Sequence, residues 1–188
     1  MSPPRCPWCG DDPLYVAYHD HEWGRPERDD RKLFEMLILE GAQAGLSWIT
    51  ILRKREGYRE AFHGFDPAKV AAMSEDDVER LMGNPAIVRN RLKLRSAIRN
   101  AKVFLQMQRQ HGSFADWLWA HVDGQPILRR YDDSRVPASN ELSDLISKAL
   151  QKAGMNFVGS TVIYAYLQAC GAVNDHLSDC FLHPDQAG

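Results

Sequence analysis

Ser74-Glu-Asp-Asp77-Val78-Glu-Arg-Leu81-Met82-Gly83-Asn84-Pro85-Ala86-Ile87-Val88-Arg89-Asn90-Arg91-Leu-Lys93-Leu94 is the stretch whose reading decides the fold. Ser74 to Asp77 resembles a helix-starting capping box with a shortened acidic partner, and Val78, Leu81 and Met82 follow at helical spacing. Gly83-Asn84-Pro85 breaks that helix. The spacing predicts a second helix from about Ile87, with Leu94, Ala97, Ile98, Ala101 and Leu105 on one face, ending at His111-Gly112. Arg89, Arg91, Lys93, Arg95, Arg99 and Lys102 decorate it with no acid between them. Two helices joined by a tight turn, the second opening in cations, can present amides and positive charge to a phosphate, so residues 74–103 read as a helix-hairpin-helix. A solvated charged helix face is the bland competitor.

Outward from this hairpin, every segment keeps the helical period. Asp29 and Asp30 are capping candidates for a helix carrying Leu33 and Leu37. Ser47 is placed to cap a helix reaching about Phe62. Asp66-Pro67 reads as an N-cap followed by proline at the first helical position. Phe114, Trp117 and Leu118 read as core, residues 125–138 as an irregular connection, Leu142, Leu145, Ile146 and Leu150 as a buried stripe, and Ser160 to Gly171 as a last helix. No segment alternates like a strand, which predicts an all-α fold in one unit. Hydrophobic content of 44% and charged content of 26% are those of a globular chain, with no run long enough to span a bilayer and no signal-peptide core. A cytoplasmic monomer is the expectation. The net charge of −2 argues against a protein that coats nucleic acid while leaving room for a local basic face.

Two constellations point to chemistry. Glu40 falls on the apolar stripe of the Leu33 helix, where a carboxylate is costly unless something binds it. Tyr15, Tyr18, Trp23 and Trp48 lie nearby in sequence as walls for a planar ligand. Separately, His176 and Cys180 stand i, i+4 and can chelate one ion from a helical face. With Cys6 and His19 they make a two-sulfur, two-nitrogen set suited to tetrahedral zinc, a closed and therefore structural site. Cys9 competes with Cys6 for that role.

Asp12-Pro-Leu-Tyr15-Val-Ala-Tyr18-His19-Asp-His-Glu22-Trp23-Gly24, Leu39-Glu40-Gly-Ala-Gln43-Ala-Gly45-Leu46-Ser47-Trp48, Phe157-Val158-Gly159 and Asn174-Asp175-His176 with Cys180 together resemble the bacterial 3-methyladenine DNA glycosylase I family over nearly the whole chain. The resemblance implies a zinc-containing helix-hairpin-helix glycosylase that flips N3-methylated adenine out of double-stranded DNA and hydrolyses its glycosidic bond. It implies one catalytic unit over residues 1–188, with terminal segments 1–24 and 172–183 joined by zinc on Cys6, His19, His176 and Cys180. The base pocket falls on Tyr15, Tyr18, Trp23, Glu40 and Trp48, edged by Trp8, with Glu40 and Tyr18 assigned to the chemical step. Arg89 and Arg91 are expected at phosphates and Leu46 as the wedge that fills the vacated stack. Asp116 is the positional candidate for the aspartate that other glycosylases of this superfamily place beyond the hairpin. Ala86 stands where a glycine is usual, and must avoid positive φ or accept strain.

Two other classes compete. His19-Asp20-His21-Glu22 suggests a zinc hydrolase, which needs an open coordination position and a water-activating carboxylate. A lesion-binding module without chemistry would hold methylated DNA and release no base.

Overall fold

The computed structural model describes residues 3–133 and 135–186. Among these, helices α1 (Pro13–His21), α2 (Asp30–Gln43), α3 (Trp48–Ala61), α4 (Pro67–Ala71), α5 (Glu75–Met82), α6 (Arg91–His111), α7 (Phe114–Ala120), α8 (Glu141–Ala153) and α9 (Ser160–Ala169) carry the fold. Strands β1 (Ile127–Leu128) and β2 (Val173–Asn174) form a short parallel pair that period reading does not reveal. Each is too brief to show an alternation.

Helix α2 is the axis of the molecule and packs against α3, α6, α7 and α9. After a charged first turn α2 is mostly apolar and buries Leu33, Phe34, Leu37, Ile38 and Leu39, with the buried Glu35 and Glu40 as exceptions. Its start is set by Asp29, which accepts from the Lys32 amide at 2.9 Å. Asp30 does different work. Its carboxylate takes the Phe114 and Ala115 amides at 2.9 and 2.8 Å, tying the start of α7 to the start of α2.

The capping box at Ser74 and Asp77 forms as the sequence indicates. Helix α6 begins at Arg91, later than expected, because Asn90 caps it through the Lys93 amide at 3.1 Å. Its buried face includes Val103, Phe104 and Met107, with Leu105 only half-buried. Ala86 escapes strain, since it is not among the residues with positive φ. The turn instead leans on α3: Lys54 Nζ donates to the Pro85 carbonyl at 2.7 Å, and a Cβ at Gly57 would meet the Ala86 carbonyl oxygen at 2.4 Å. Gly57 is a helix-interior glycine because the hairpin occupies its side-chain space.

Two further expectations are corrected. Leu145 is 57% exposed, since the buried stripe of α8 runs through Ser143, Ile146, Ser147 and Leu150. The serines face inward because Ser143 meets Ser160 at 2.8 Å and Ser147 donates to the Val158 carbonyl at 2.7 Å. Ser47 precedes α3 without a side-chain cap and bonds Thr50 Oγ1 instead. Trp117, half-buried, packs against the main core as expected.

Candidate functional site

A smaller apolar cluster of Cys6, Tyr18, Trp23, Leu52, Ala169, Leu177 and Cys180 stands beside the main core, and Trp48 packs against both. At their junction opens a cavity of about 260 Å³. Trp8, Tyr15, Tyr18, Trp23, Glu40 and Trp48, the whole expected pocket set, line it. Helix α1 supplies the tyrosines, capped by Asp12 through the Leu14 amide at 3.0 Å. Tyr18 and Trp48 lie 5.5 Å apart with planes tilted by 50°. Two stacking layers of roughly 3.5 Å each would need about 7 Å between rings, so these aromatics form adjoining walls, not a preformed slot.

Helix α2 carries two buried carboxylates, and they have opposite surroundings. Glu35 is neutralised by Arg55 Nε at 2.6 Å and Arg59 Nε at 3.0 Å. Glu40 has no hydrogen bond or ion pair to it among the described residues, and burial alone pushes its carboxyl up to about 8. Burial here favours the neutral acid over the carboxylate. A cation or a donor entering the cavity would restore the charge. Trp48 Nε1 and Asp175 Oδ1 are also buried without partners, and both residues line the cavity. Glu40 is thus the acid inside the apolar walls that no protein group pairs, while the other oxygen of Asp175 is held by Tyr164 and Gln168.

Cys6, His19, His176 and Cys180 converge, all buried, with ligand atoms within 4.8 Å of one another. Cys6 Sγ lies 3.6 Å from His176 Nδ1, and Cys180 Sγ lies 3.5 Å from both His176 Nδ1 and His19 Nε2. A tetrahedral ion with metal–sulfur bonds of about 2.3 Å and metal–nitrogen bonds of about 2.0–2.1 Å would separate such sulfur and nitrogen atoms by roughly 3.6 Å. The donor set is spaced to hold a metal. Its supporting shell is built as well: His19 Nδ1 meets Asp20 at 2.8 Å, and Arg5 grips Asp20 through Nε and Nη2. Hydrogen bonding from Cys6, and then from His176 and His19, draws the Cys180 thiol well below its ordinary range, toward the thiolate a metal requires. Gly24, at φ +76°, gives way to the His176 ring, which a Cβ there would meet at 2.8 Å.

Cys9 is not part of this set. Its thiol turns to the Cys6 carbonyl at 3.2 Å. His21 is exposed and Glu22 pairs with Arg55 at 2.6 Å, so the hydrolase reading loses both its third ligand and its base. Asp116 is exposed on the first turn of α7 and does not line the cavity. Leu46 projects at 40% exposure between the lining residues Gln43 and Trp48. Arg89 is exposed and has no ion pair among the described residues, whereas Arg91 holds Glu79 through two bonds of 3.0 and 2.7 Å. Sequence reasoning missed Gln43, Val136, Ala165, Gln168, Asp175 and Leu177 as lining residues. Of these Gln43, one helical turn from Glu40, Gln168, a polar residue in the apolar second half of α9, and Asp175, beside His176, carried a signal.

An aromatic cavity with a buried, unpaired acid suits a planar ligand that brings a donor or a positive charge, and it sits on a helical scaffold next to a Cys/His cluster. The chain belongs to the methyladenine glycosylase family, whose model matches residues 8–183. It is 54% identical to DNA-3-methyladenine glycosylase 1 of Escherichia coli (strain K12), covering 96% of this chain and 97% of that one. A crystal structure of 3-methyladenine DNA glycosylase I superposes with a TM-score of 0.94 at 55% identity, covering 96% of this chain and all of that one. A variant of 3-methyladenine DNA glycosylase I in complex with 3-methyladenine superposes at 0.93 with 39% identity, covering 96% and 97%.

Proposed function

We propose that this enzyme excises 3-methyladenine from alkylated duplex DNA in base-excision repair. The observation that carries the reading is Glu40, a buried acid without a protein partner in an aromatic cavity. Methylation at N3 makes the ring cationic, so the flipped base brings the charge that ionises Glu40, while its exocyclic amine donates to the carboxylate. A guanine would aim a carbonyl oxygen there and be repelled. Cleavage is hydrolytic. The glycosidic bond breaks with its electron pair passing to the base, which becomes neutral, and water adds to the sugar carbon and releases a proton to solvent. The protein's work is flipping, at a cost of a few kcal/mol, returned in part by stacking at about 1–3 kcal/mol per face. One of the adjoining rings of Tyr18 and Trp48 would supply such a face, and the other would close the pocket beside it.

Zinc is the metal that two thiolates and two imidazoles at this spacing suit best, and with four protein ligands it would act as a structural cross-link. Residues 74–103 are read as the helix-hairpin-helix that meets the phosphate backbone. Incubating alkylated duplex with the protein should release free 3-methyladenine and leave an abasic site; binding without release would make it a lesion-binding module.

Unpaired Arg89 should contribute most to phosphate contact. Arg89→Ala is expected to lower affinity equally on all sequences and to flatten the salt dependence by roughly one unit of slope, with Arg91→Ala doing less because Glu79 already holds it. Unaltered slopes in both variants would remove the hairpin from the interface. Leu46→Ala should slow single-turnover excision about ten-fold or more while metal content stays constant, since Leu46 is the large apolar side chain that this turn exposes. Wild-type rates would rule it out as the wedge.

A further inference from the structure

Lys93 lies in the row of cations that follows the hairpin, yet it turns away from solvent. Its Nζ donates to the Ala42 carbonyl at 2.8 Å and to the Ala44 carbonyl at 2.6 Å. These belong to the end of α2, where helical carbonyls have no intrahelical partner and the dipole favours a cation. Directly beyond lie Gly45, at φ +80°, and Leu46, whose amide closes on the Gln43 carbonyl at 2.6 Å. Glu40 is one turn back.

A second grip comes from the same face of α6. Asn100 bonds both the carbonyl and the amide of Asn156, at 2.8 and 2.9 Å, and so presents Phe157 in a left-handed conformation at φ +54°. Phe157 presses on α2 at Gly41, where a Cβ would lie 3.2 Å from the Phe157 Cβ. A non-glycine residue held at positive φ costs on the order of 1 kcal/mol or more, so the contact is kept against local strain.

From these contacts we infer that Lys93 is a positioning residue: it fastens the first turn of the hairpin's second helix to the turn carrying Leu46, so that hairpin and wedge move as one body. The inference rests on the hairpin and wedge roles proposed above. It also separates Lys93 from its basic neighbours, because two of the three donors of its ammonium are held by carbonyls and its role does not require a phosphate contact.

Lys93→Met keeps the aliphatic stem and removes the cap. The expected result is a fall of about ten- to a hundred-fold in single-turnover excision at saturating enzyme, the scale reached when reacting groups are misplaced by about 1 Å. Duplex affinity, its salt slope and the binding of free 3-methyladenine should stay within about three-fold of wild type, because phosphate contacts and pocket remain. A fluorescent base analogue beside the lesion should report slower flipping, and Lys93→Arg should restore most of the rate. A loss of about one unit of salt slope would make Lys93 a phosphate contact and overturn the inference. So would a parallel loss of free-base affinity, a failure of Arg to rescue, or an unchanged rate. If instead Arg89→Ala and Leu46→Ala are both silent, the hairpin and wedge reading itself falls, and this inference with it.

Discussion

Replacing Glu40 with Gln is expected to make the protein a worse enzyme and a more stable one. The burial that pushes this carboxyl up to about 8 lets the folded state bind more protons than the unfolded state between roughly pH 4.5 and pH 8. Stability from this group is therefore fully present below pH 4.5 and lost as pH rises through 8. Gln does not titrate. The variant and the wild type should unfold alike near pH 5, and the variant should lead by a few kcal/mol at pH 9, several degrees in Tm for a chain of this size. Excision of 3-methyladenine should fall by about ten- to a hundred-fold, the worth of a charge-assisted hydrogen bond of about 1.5–3 kcal/mol. The preference over 3-methylguanine should narrow. Thermal melts across pH together with single-turnover rates check both halves. A folded variant that excises normally, or one that gains nothing at pH 9, would remove Glu40 from the pocket's logic.

The second large effect is expected at the metal cluster. Cys180→Ser should lose bound zinc and thermal stability together, because an ion that binds only the folded chain contributes its binding energy to folding. A loss of several kcal/mol corresponds to a drop on the order of 10 °C or more. Cys9→Ser should keep full zinc, as its thiol faces the Cys6 carbonyl. Metal analysis beside a melting curve decides the matter, and a Cys180→Ser protein with wild-type zinc and Tm would exclude the assignment.

The parts of the molecule legible in the sequence were those set by local chemistry. Ser74 and Asp77 announce a capping box because both partners are within four residues, and Glu40 is conspicuous because a carboxylate interrupts an apolar stripe. The four metal-cluster residues could be named because thiols and imidazoles are scarce. What stayed hidden depends on neighbours distant in the chain. Leu145 is exposed and Ser147 buried because α9 and the Val158 carbonyl lie on the serine side, and hydrophobicity alone points the other way. Asp175 and Gln168 reach the cavity from the last quarter of the sequence, with no spacing relation to Tyr18 or Glu40. Lys93 reads as one more surface cation, and only the carbonyls of α2 explain why it turns inward.

The cluster that joins Cys6 and His19 to His176 and Cys180 also sets an order of events during synthesis. The first two ligands leave the ribosome more than 150 residues ahead of the other two, and Asp175 and Leu177 of the cavity wall emerge together with the later pair. Helices of the core can pair while translation proceeds, at some 5–20 residues per second. The pocket cannot be completed in that interval. A nascent or prematurely terminated chain lacking residues 175–180 would thus display α2 without a complete cavity or metal cluster, and both would be completed in one step once that segment is made.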